Sequence, residues 1–336
     1  MKYRQLGRTG VKVSELCLGT MMFGGQTDET ESRRIIDHAF EQGVNFIDTA
    51  DAYAKTHSEE IVGRAIADKR DHWVLATKLF HRTREGVNEE GLSRRYVMMA
   101  TERSLKRLGT DHIDIQYLHK PDFETPLEET IDAIGDLIRQ GKIRYFGLSN
   151  YRAWWIAEII HLCRELGVPR PIVLQPYYNI MNRAPELEVL PAAHNYGLGI
   201  VPYSPIARGV LSGKYLPGSE PPEGSRVGRA DPRMMVSEWR SESLEIAQKL
   251  KTHAEARGMS LVHFAVAWVL NNRSISAAIA GPRTFEQWQS YLGALDYEWT
   301  EEDEALVDSL VRPGHPSTPG YTDPQYPVLG RFPAVA

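Results

Sequence analysis

The sequence predicts a single (β/α)8 TIM barrel spanning residues 1–336, in the α/β class. Three observations lead there. Strand-like apolar runs begin near Leu16, Val44, Trp73, Ile113, Ile143, Ile172, Gly199 and Ser274. Most of them are separated by about thirty to forty residues, the length of one βα unit, and amphipathic helical segments fill the gaps. The rival doubly wound sheet would carry a G-x-G-x-x-G turn after its first strand, and the chain contains none.

The elements follow in order. Residues 1–15 hold Leu6-Gly7-Arg8-Thr9-Gly10 between two strand-like pieces, which predicts an N-terminal hairpin ahead of the barrel. Ile35, Ile36, Ala39 and Phe40 share a helix face before Gly43, and Val97, Met98, Thr101, Leu105 and Leu108 do so before Gly109. The clearest helix start is Thr125-Pro126-Leu127-Glu128, with Thr125 as N-cap, Pro126 as the first helical residue and Glu128 closing a capping box. Leu127, Ile131, Ile134 and Ile138 then recur on one face, and Gly141 is the expected left-handed terminator. Two segments break the rhythm. Residues 205–240, rich in Gly, Pro and Arg, interrupt the seventh unit as a long loop, and residues 313–336 form a tail with six prolines.

Bulk properties narrow the function. Hydrophobic residues make up 42% and charged ones 25%, as in a globular protein with a substantial core. A formal charge of −5 and the lack of a basic stripe give no reason to expect nucleic acid. The most apolar stretch, around Leu261 to Leu270, is too short to span a bilayer, so no membrane partner is expected. Met1-Lys2-Tyr3-Arg4-Gln5 has no signal-peptide core, and with only Cys17 and Cys163 a cytoplasmic location follows. Both cysteines read as core residues. No H-E-x-x-H or clustered Cys/His spacing occurs, so no metal is expected.

Alternation places Val44, Phe46 and Asp48 on one strand face, then Val74, Ala76 and Lys78, then Ile113, Ile115, Tyr117 and His119. Polar residues that close apolar strand faces mark the catalytic mouth of such a barrel. Tyr53 follows Asp48 in the next loop, and Ser149-Asn150, Gln175 and Tyr203-Ser204 end later strands. Asp48, Tyr53, Lys78 and His119 therefore read as a catalytic set. A free phenol has a pKa near 10, and a neighbouring Lys78 ammonium is expected to lower that of Tyr53. Asp48 would hold Lys78, and His119 would donate to a carbonyl oxygen. Such a set suits carbonyl reduction, with the hydride supplied from outside the protein. A Schiff-base aldolase using Lys78 is a weaker alternative that leaves Tyr53 and His119 idle. Asp51 reads as a loop cap outside the set.

These residues carry a resemblance. Leu18-Gly19-Thr20, Asp48-Thr49-Ala50-Asp51-Ala52-Tyr53, Thr77-Lys78, Leu118-His119 with Pro121-Asp122, Gly147-Leu148-Ser149-Asn150, Gln175 with Tyr178-Asn179, and Tyr203-Ser204-Pro205 with Gly209 and Leu211 resemble the aldo-keto reductases, in order and spacing, from Tyr3 to Ala294. The Tyr3-Arg4-x-Leu6-Gly7-x-Thr9-Gly10 opening is similar to the branch containing bacterial oxidoreductases and potassium-channel β subunits.

The resemblance implies NADP(H) as the preferred cofactor, with NAD(H) as an alternative, and a small carbonyl or alcohol as substrate. It makes Tyr53 the general acid, tuned by Lys78 and Asp48, with His119 orienting the carbonyl. Thr20, Met21 and Asp48 would border the cofactor. Ser149, Asn150 and Gln175 would bond its carboxamide, and Tyr203 would stack on the nicotinamide. Ser204, Pro205, Ile206, Ala207, Arg208, Gly209 and Leu211 would follow the pyrophosphate, with Arg208 on a phosphate. Gly281, Arg283, Thr284 and Gln287 would hold the adenosine end, with Arg283 on the 2′-phosphate. Met21, Phe23, Phe80 and Tyr151, with Tyr53 and His119, are expected to line the substrate cleft. The branch also allows a homo-oligomer, and a second function in which the chain holds the cofactor as a redox-sensing regulatory subunit.

The chain departs from the family pattern in three places. Ser290 and Tyr291 stand where relatives have a Glu-Asn pair, Gln287 stands where a basic residue is common, and Ala54 replaces the glycine that usually follows the tyrosine. The first two loosen the preference for NADPH, and the third predicts an altered backbone beside Tyr53.

Overall fold

Side chains that alternate along the strands sort into two packed layers, and the layers dictate the architecture. In the computed structural model, which describes residues 1–328, eight parallel strands form one sheet: β3 (Leu16–Gly19), β4 (Phe46–Asp48), β5 (Val74–Leu79), β6 (Ile113–Leu118), β7 (Ile143–Ser149), β8 (Val173–Gln175), β9 (Gly199–Ile200) and β10 (Ala278–Ala280). They run in sequence order, with β10 returning beside β3. The ring closes between β9 and the approach to β10. Ile200 bridges Ile275, and the amide of Ile279 donates to the Pro202 carbonyl at 3.0 Å.

Inside the ring, Cys17, Phe46, Ala76, Ile115, Tyr117, Val173, Val201 and Ile279 pack as one cluster. The opposite strand faces, among them Leu18, Ile47, Leu75, Leu118 and Leu174, pack against the helices. Those helices include α1 (Glu29–Glu41), α2 (His57–Ile66), α3 (Arg94–Leu108), α4 (Leu127–Arg139), α5 (Ala153–Glu165) and α6 (Val189–Tyr196). After β9 come α7 (Pro232–Ser237), α8 (Ser241–Ala256) and α9 (Leu261–Asn271), and after β10 come α10 (Phe285–Leu292) and α11 (Glu301–Leu310). Cys17 and Cys163 are both free and buried. No helix among the described residues is long and apolar enough to cross a membrane.

The predicted N-terminal hairpin is β1 (Tyr3–Gln5) paired antiparallel with β2 (Lys12–Ser14). Its tip plugs the N-terminal end of the barrel, where Leu6 and Val13 join the interior cluster. Gly7 sits at φ +58°, and a Cβ there would meet the Gly199 nitrogen at 2.5 Å, so backbone runs directly against backbone.

One helix start differs from the prediction. Pro126, not Thr125, is the N-cap of α4, and no side chain caps it. The Thr125 hydroxyl instead donates to Asp122 at 2.7 Å, because Asp122 offers a carboxylate three residues upstream. Gly141 does adopt the left-handed conformation, at φ +72°. The loop predicted at 205–240 runs over the C-terminal mouth, broken by a 3-10 turn (Ala207–Ser212) and α7. Residues 313–328 of the predicted tail return to that mouth, and residues 329–336 lie outside the described residues.

Candidate active site at the C-terminal mouth

β4 and β5 are neighbours in register, so Asp48 and Lys78, at or near their C-terminal ends, fall side by side. Lys78 is fully buried, and its ammonium donates to the Asp48 carboxylate and to the Thr49 carbonyl, the latter at 2.7 Å. The other Asp48 oxygen accepts from the Gln175 amide at 2.9 Å. The Lys78 nitrogen lies 4.8 Å from the centre of the Tyr53 ring, and the Tyr53 and His119 rings stand 6.0 Å apart at 79°. The four residues predicted as a set thus converge, with Asp48, Tyr53 and His119 facing one cleft and Lys78 directly behind it.

Burial governs the electrostatics. Removal from water works against the Lys78 ammonium, but Asp48 and then Tyr53 outweigh it, and its pKa ends above the ordinary value. Lys78 therefore stays charged, the wrong state for a Schiff-base nucleophile. Burial pushes the Asp48 carboxyl upward, opposed by Lys78 and Gln175. The expectation that Lys78 brings the Tyr53 pKa down needs correction. Burial raises it, Lys78 pulls against that, and the phenol remains above its ordinary value, so it is protonated at pH 7. Burial, reinforced by Lys78, His81 and Lys120, holds His119 well below its ordinary pKa and so neutral at pH 7. Its Nδ1 is buried without a hydrogen-bond partner among the described residues.

The loop after Tyr53 pays a conformational cost. Ala54, Lys55 and Thr56 all have positive φ, at 48°, 55° and 82°, so the backbone turns left-handed without a glycine. Asp51 differs from the loop cap expected of it. It is buried, neither carboxyl oxygen makes a hydrogen bond among the described residues, and burial followed by Glu59 holds its pKa well above the usual carboxylate range.

The cleft encloses about 560 Å³. Thr20, Met21, Ser149, Asn150, Gln175, Tyr203, Ser204, Pro205, Ile206, Arg208, Gly209, Gly281, Arg283 and Gln287 line it. The polar groups around its floor bond one another: Ser149 donates to the Gln175 carbonyl, Asn150 to the His119 carbonyl, and the Tyr203 hydroxyl to Asn150, each at 2.9 Å. Tyr203 is stacked on Tyr177 at 5.6 Å, and Tyr177 is anchored by a hydrogen bond to the buried Glu238.

Other predicted lining residues lie elsewhere. Ala207 and Leu211 are core residues, and Thr284 caps α10, accepting from the Gln287 amide. Phe23 and Tyr151 do not face the cleft but belong to the hydrophobic core, and Phe80 packs partly buried against that core. Phe23 and Tyr151 follow strand ends but are buried in the core cluster, while the Phe80 ring carries the Lys120 ammonium over its face at 4.3 Å. Arg208 Nε is buried and makes no hydrogen bond among the described residues; its nearest charge is Glu238, at 4.0 Å.

Sequence reasoning missed the cations of the long loop. Lys214, Arg226, Arg229 and Arg233 line the cleft along with Arg283. Arg283 donates to the Gly224 carbonyl at 3.0 Å, tying α10's approach to the loop. Burial and then the positive charges of Arg283, Arg226 and Arg229 lower the Lys214 pKa. Like charges crowded this closely suit a polyanion, and a dinucleotide phosphate chain is one. The tail adds Gln325 and Tyr326, pinned by an Arg233–Asp323 ion pair and by Arg152, which donates to the Tyr326 carbonyl at 2.8 Å. The arginine-rich composition of residues 205–240 was the available signal for the cations. His81, after β5, was missed without one.

A closed barrel with a buried phenol, a buried ammonium–carboxylate pair and a neutral imidazole at its C-terminal mouth has the layout of the barrel enzymes. A family model for the aldo/keto reductases matches residues 15–312, and the chain belongs to that family. A probable voltage-gated potassium channel subunit beta of Oryza sativa subsp. japonica is 37% identical over 92% of this chain and 97% of its own length. An uncharacterized oxidoreductase of Bacillus subtilis, YrpG, is 36% identical over 92% and 96%. A versiconal hemiacetal acetate reductase of Aspergillus parasiticus is 32% identical over 94% and 99%. Family and relatives together support an oxidoreductase.

Proposed function

We propose that the chain is an NADP(H)-dependent carbonyl reductase that converts an aldehyde or ketone to an alcohol, reversibly, with Tyr53 as the general acid. The observation that supports this most is the Lys78–Asp48 pair set beneath the Tyr53 ring at 4.8 Å, with a neutral His119 across from it. A bound nicotinamide would supply the hydride. His119 orients the carbonyl oxygen toward the phenol. Tyr53 holds its proton until charge develops on that oxygen, and Lys78 then stabilises the phenolate left behind. Asp48 keeps Lys78 charged and in place. Tyr203 offers a ring to the nicotinamide, Asn150 and Ser149 its carboxamide contacts, and Lys214, Arg229 and Arg283 the phosphate contacts, with Arg283 at the 2′-phosphate. The free, buried cysteines suit a reducing cytoplasm.

Tyr53→Phe tests the assignment. Removing the proton donor should lower turnover by about 100-fold or more, the usual scale for a general acid, while the cofactor Kd stays within about twofold. Unchanged turnover would refute it.

The rice relative favours a second reading, in which the chain holds the cofactor as a redox-sensing regulatory subunit. Purified protein given NADPH and a panel of aldehydes and ketones separates the two. Steady multiple turnover supports the reductase, and one slow turnover supports the sensor.

A further inference from the structure

The mouth holds a second imidazole that the reduction as described does not use. His81 lies just past β5 and lines the cleft, and its ring stands edge-on to His119, with centroids 4.9 Å apart at 79°. Its backbone is fixed, since the Tyr96 hydroxyl donates to the His81 carbonyl at 2.7 Å. Its ring nitrogens are another matter. The rings of His72 and His253 bond to the Val44 carbonyl and to Asp303, but the His81 ring bonds to no protein group among the described residues. Burial, and then Lys120, lower its pKa, so it is neutral at pH 7 with one donor and one acceptor nitrogen.

Two imidazoles at this spacing can share one small ligand. A carbonyl oxygen bonded at His119 has the carbon beside the carbonyl only two bonds away, and hydrogen bonds reach roughly 3 Å. An oxygen on that neighbouring carbon comes within reach of His81. A hydroxyl there both donates and accepts, as a neutral imidazole does. A methyl group in the same place would leave the polar ring unmatched.

We propose that His81 is a specificity-determining contact, and that the preferred substrates are carbonyl compounds bearing a hydroxyl on the carbon beside the reacting carbonyl: α-hydroxyaldehydes and α-hydroxyketones. This rests on the carbonyl-reductase reading. A site that offers a hydrogen bond to a substrate hydroxyl discriminates against the analogue lacking it more sharply than an apolar pocket discriminates by size.

Glycolaldehyde and propanal differ by one hydroxyl for one methyl at nearly equal size, and they make the test. The holoenzyme should favour glycolaldehyde in kcat/KM by about tenfold or more. His81→Leu should bring the ratio to about one, mainly by raising KM for glycolaldehyde, and His81→Gln, which keeps a donor and an acceptor, should restore part of it. Equal losses on both aldehydes in His81→Leu would mean that His81 only supports the His119 ring, and would overturn the proposal. A wild-type ratio near one, with brisk turnover of both, would overturn it and leave the reductase reading standing. No turnover of either aldehyde, or of any ketone, would end both.

Discussion

Lys78 is the residue on which the mouth depends, and its setting has a measurable energetic signature. An ammonium with no exposed surface is tolerated because Asp48 and the Thr49 carbonyl accept its hydrogen bonds. Lys78→Met leaves the Asp48 carboxylate buried with only Gln175 beside it, and should cost about 3–5 kcal/mol of unfolding free energy. Replacing both charges, in Asp48→Asn with Lys78→Met, should recover much of that stability while leaving the protein inactive. Urea unfolding of the two variants checks this, and a double variant as unstable as the single one would contradict it. Such a pair was readable in the sequence because strand ends announce themselves as a polar residue closing an apolar run. The protonation behaviour of Tyr53 was not. Its sign depends on how deeply the ring is buried, a property of the whole mouth that no spacing along the chain records. The same limit explains Phe23 and Tyr151, which occupy the predicted positions past strand ends but direct their rings into the helical layer.

At the scale of elements, α11 is held by its first turn. Thr300 and Asp303 form a reciprocal capping box, and the Asp303 carboxylate also accepts from His253 at 2.7 Å and from Arg257. Burial would raise the Asp303 pKa, but Arg257, His253 and Thr300 outweigh it and bring it from 3.8 to about 2. A depressed carboxyl pKa contributes stability that is present above the unfolded value and lost as pH falls through the folded one. Asp303→Asn should therefore be less stable than wild type by about 2 kcal/mol at pH 7, the free energy of that shift. The gap should close between about pH 4 and pH 2. Thermal unfolding of both proteins across that range measures it, and a constant gap would show that the pair's value does not come from ionisation. Elements of this kind were largely legible, since periodic apolar faces marked the helices and seven of the eight strand starts lie within two residues of the prediction. The eighth, expected near Ser274, starts at Ala278 because Ile275 first bridges Ile200 to close the ring. The missed cap at Thr125 has a local cause, since Asp122 competes for its hydroxyl.

For the whole molecule, the two ends of the barrel have different tasks. Leu6 and Val13 of the hairpin seal the N-terminal end with apolar packing, while the C-terminal end is left polar and is covered by segments distant in sequence. The long loop brings Lys214, Arg226, Arg229 and Arg233, the tail brings Gln325 and Tyr326, and the stretch before α10 brings Arg283. Only folding brings these pieces together, so composition hinted at them and spacing could not place them. If their positive charges serve a phosphorylated dinucleotide, binding should lock loop and tail to the barrel and raise the melting temperature. Linkage sets the scale, about 2.7 kcal/mol when the ligand stands at a hundred times its Kd. At equal concentrations NADP+ should raise the Tm more than NAD+, because the extra phosphate meets Arg283. In Arg283→Ala the NADP+ shift should fall to that of NAD+, and the NAD+ shift should barely change. Added salt should shrink the difference in wild type, since charges at a solvent-facing mouth are screened. Equal shifts from the two cofactors in wild type would remove Arg283 from the 2′-phosphate and leave its contact with Gly224 as its role.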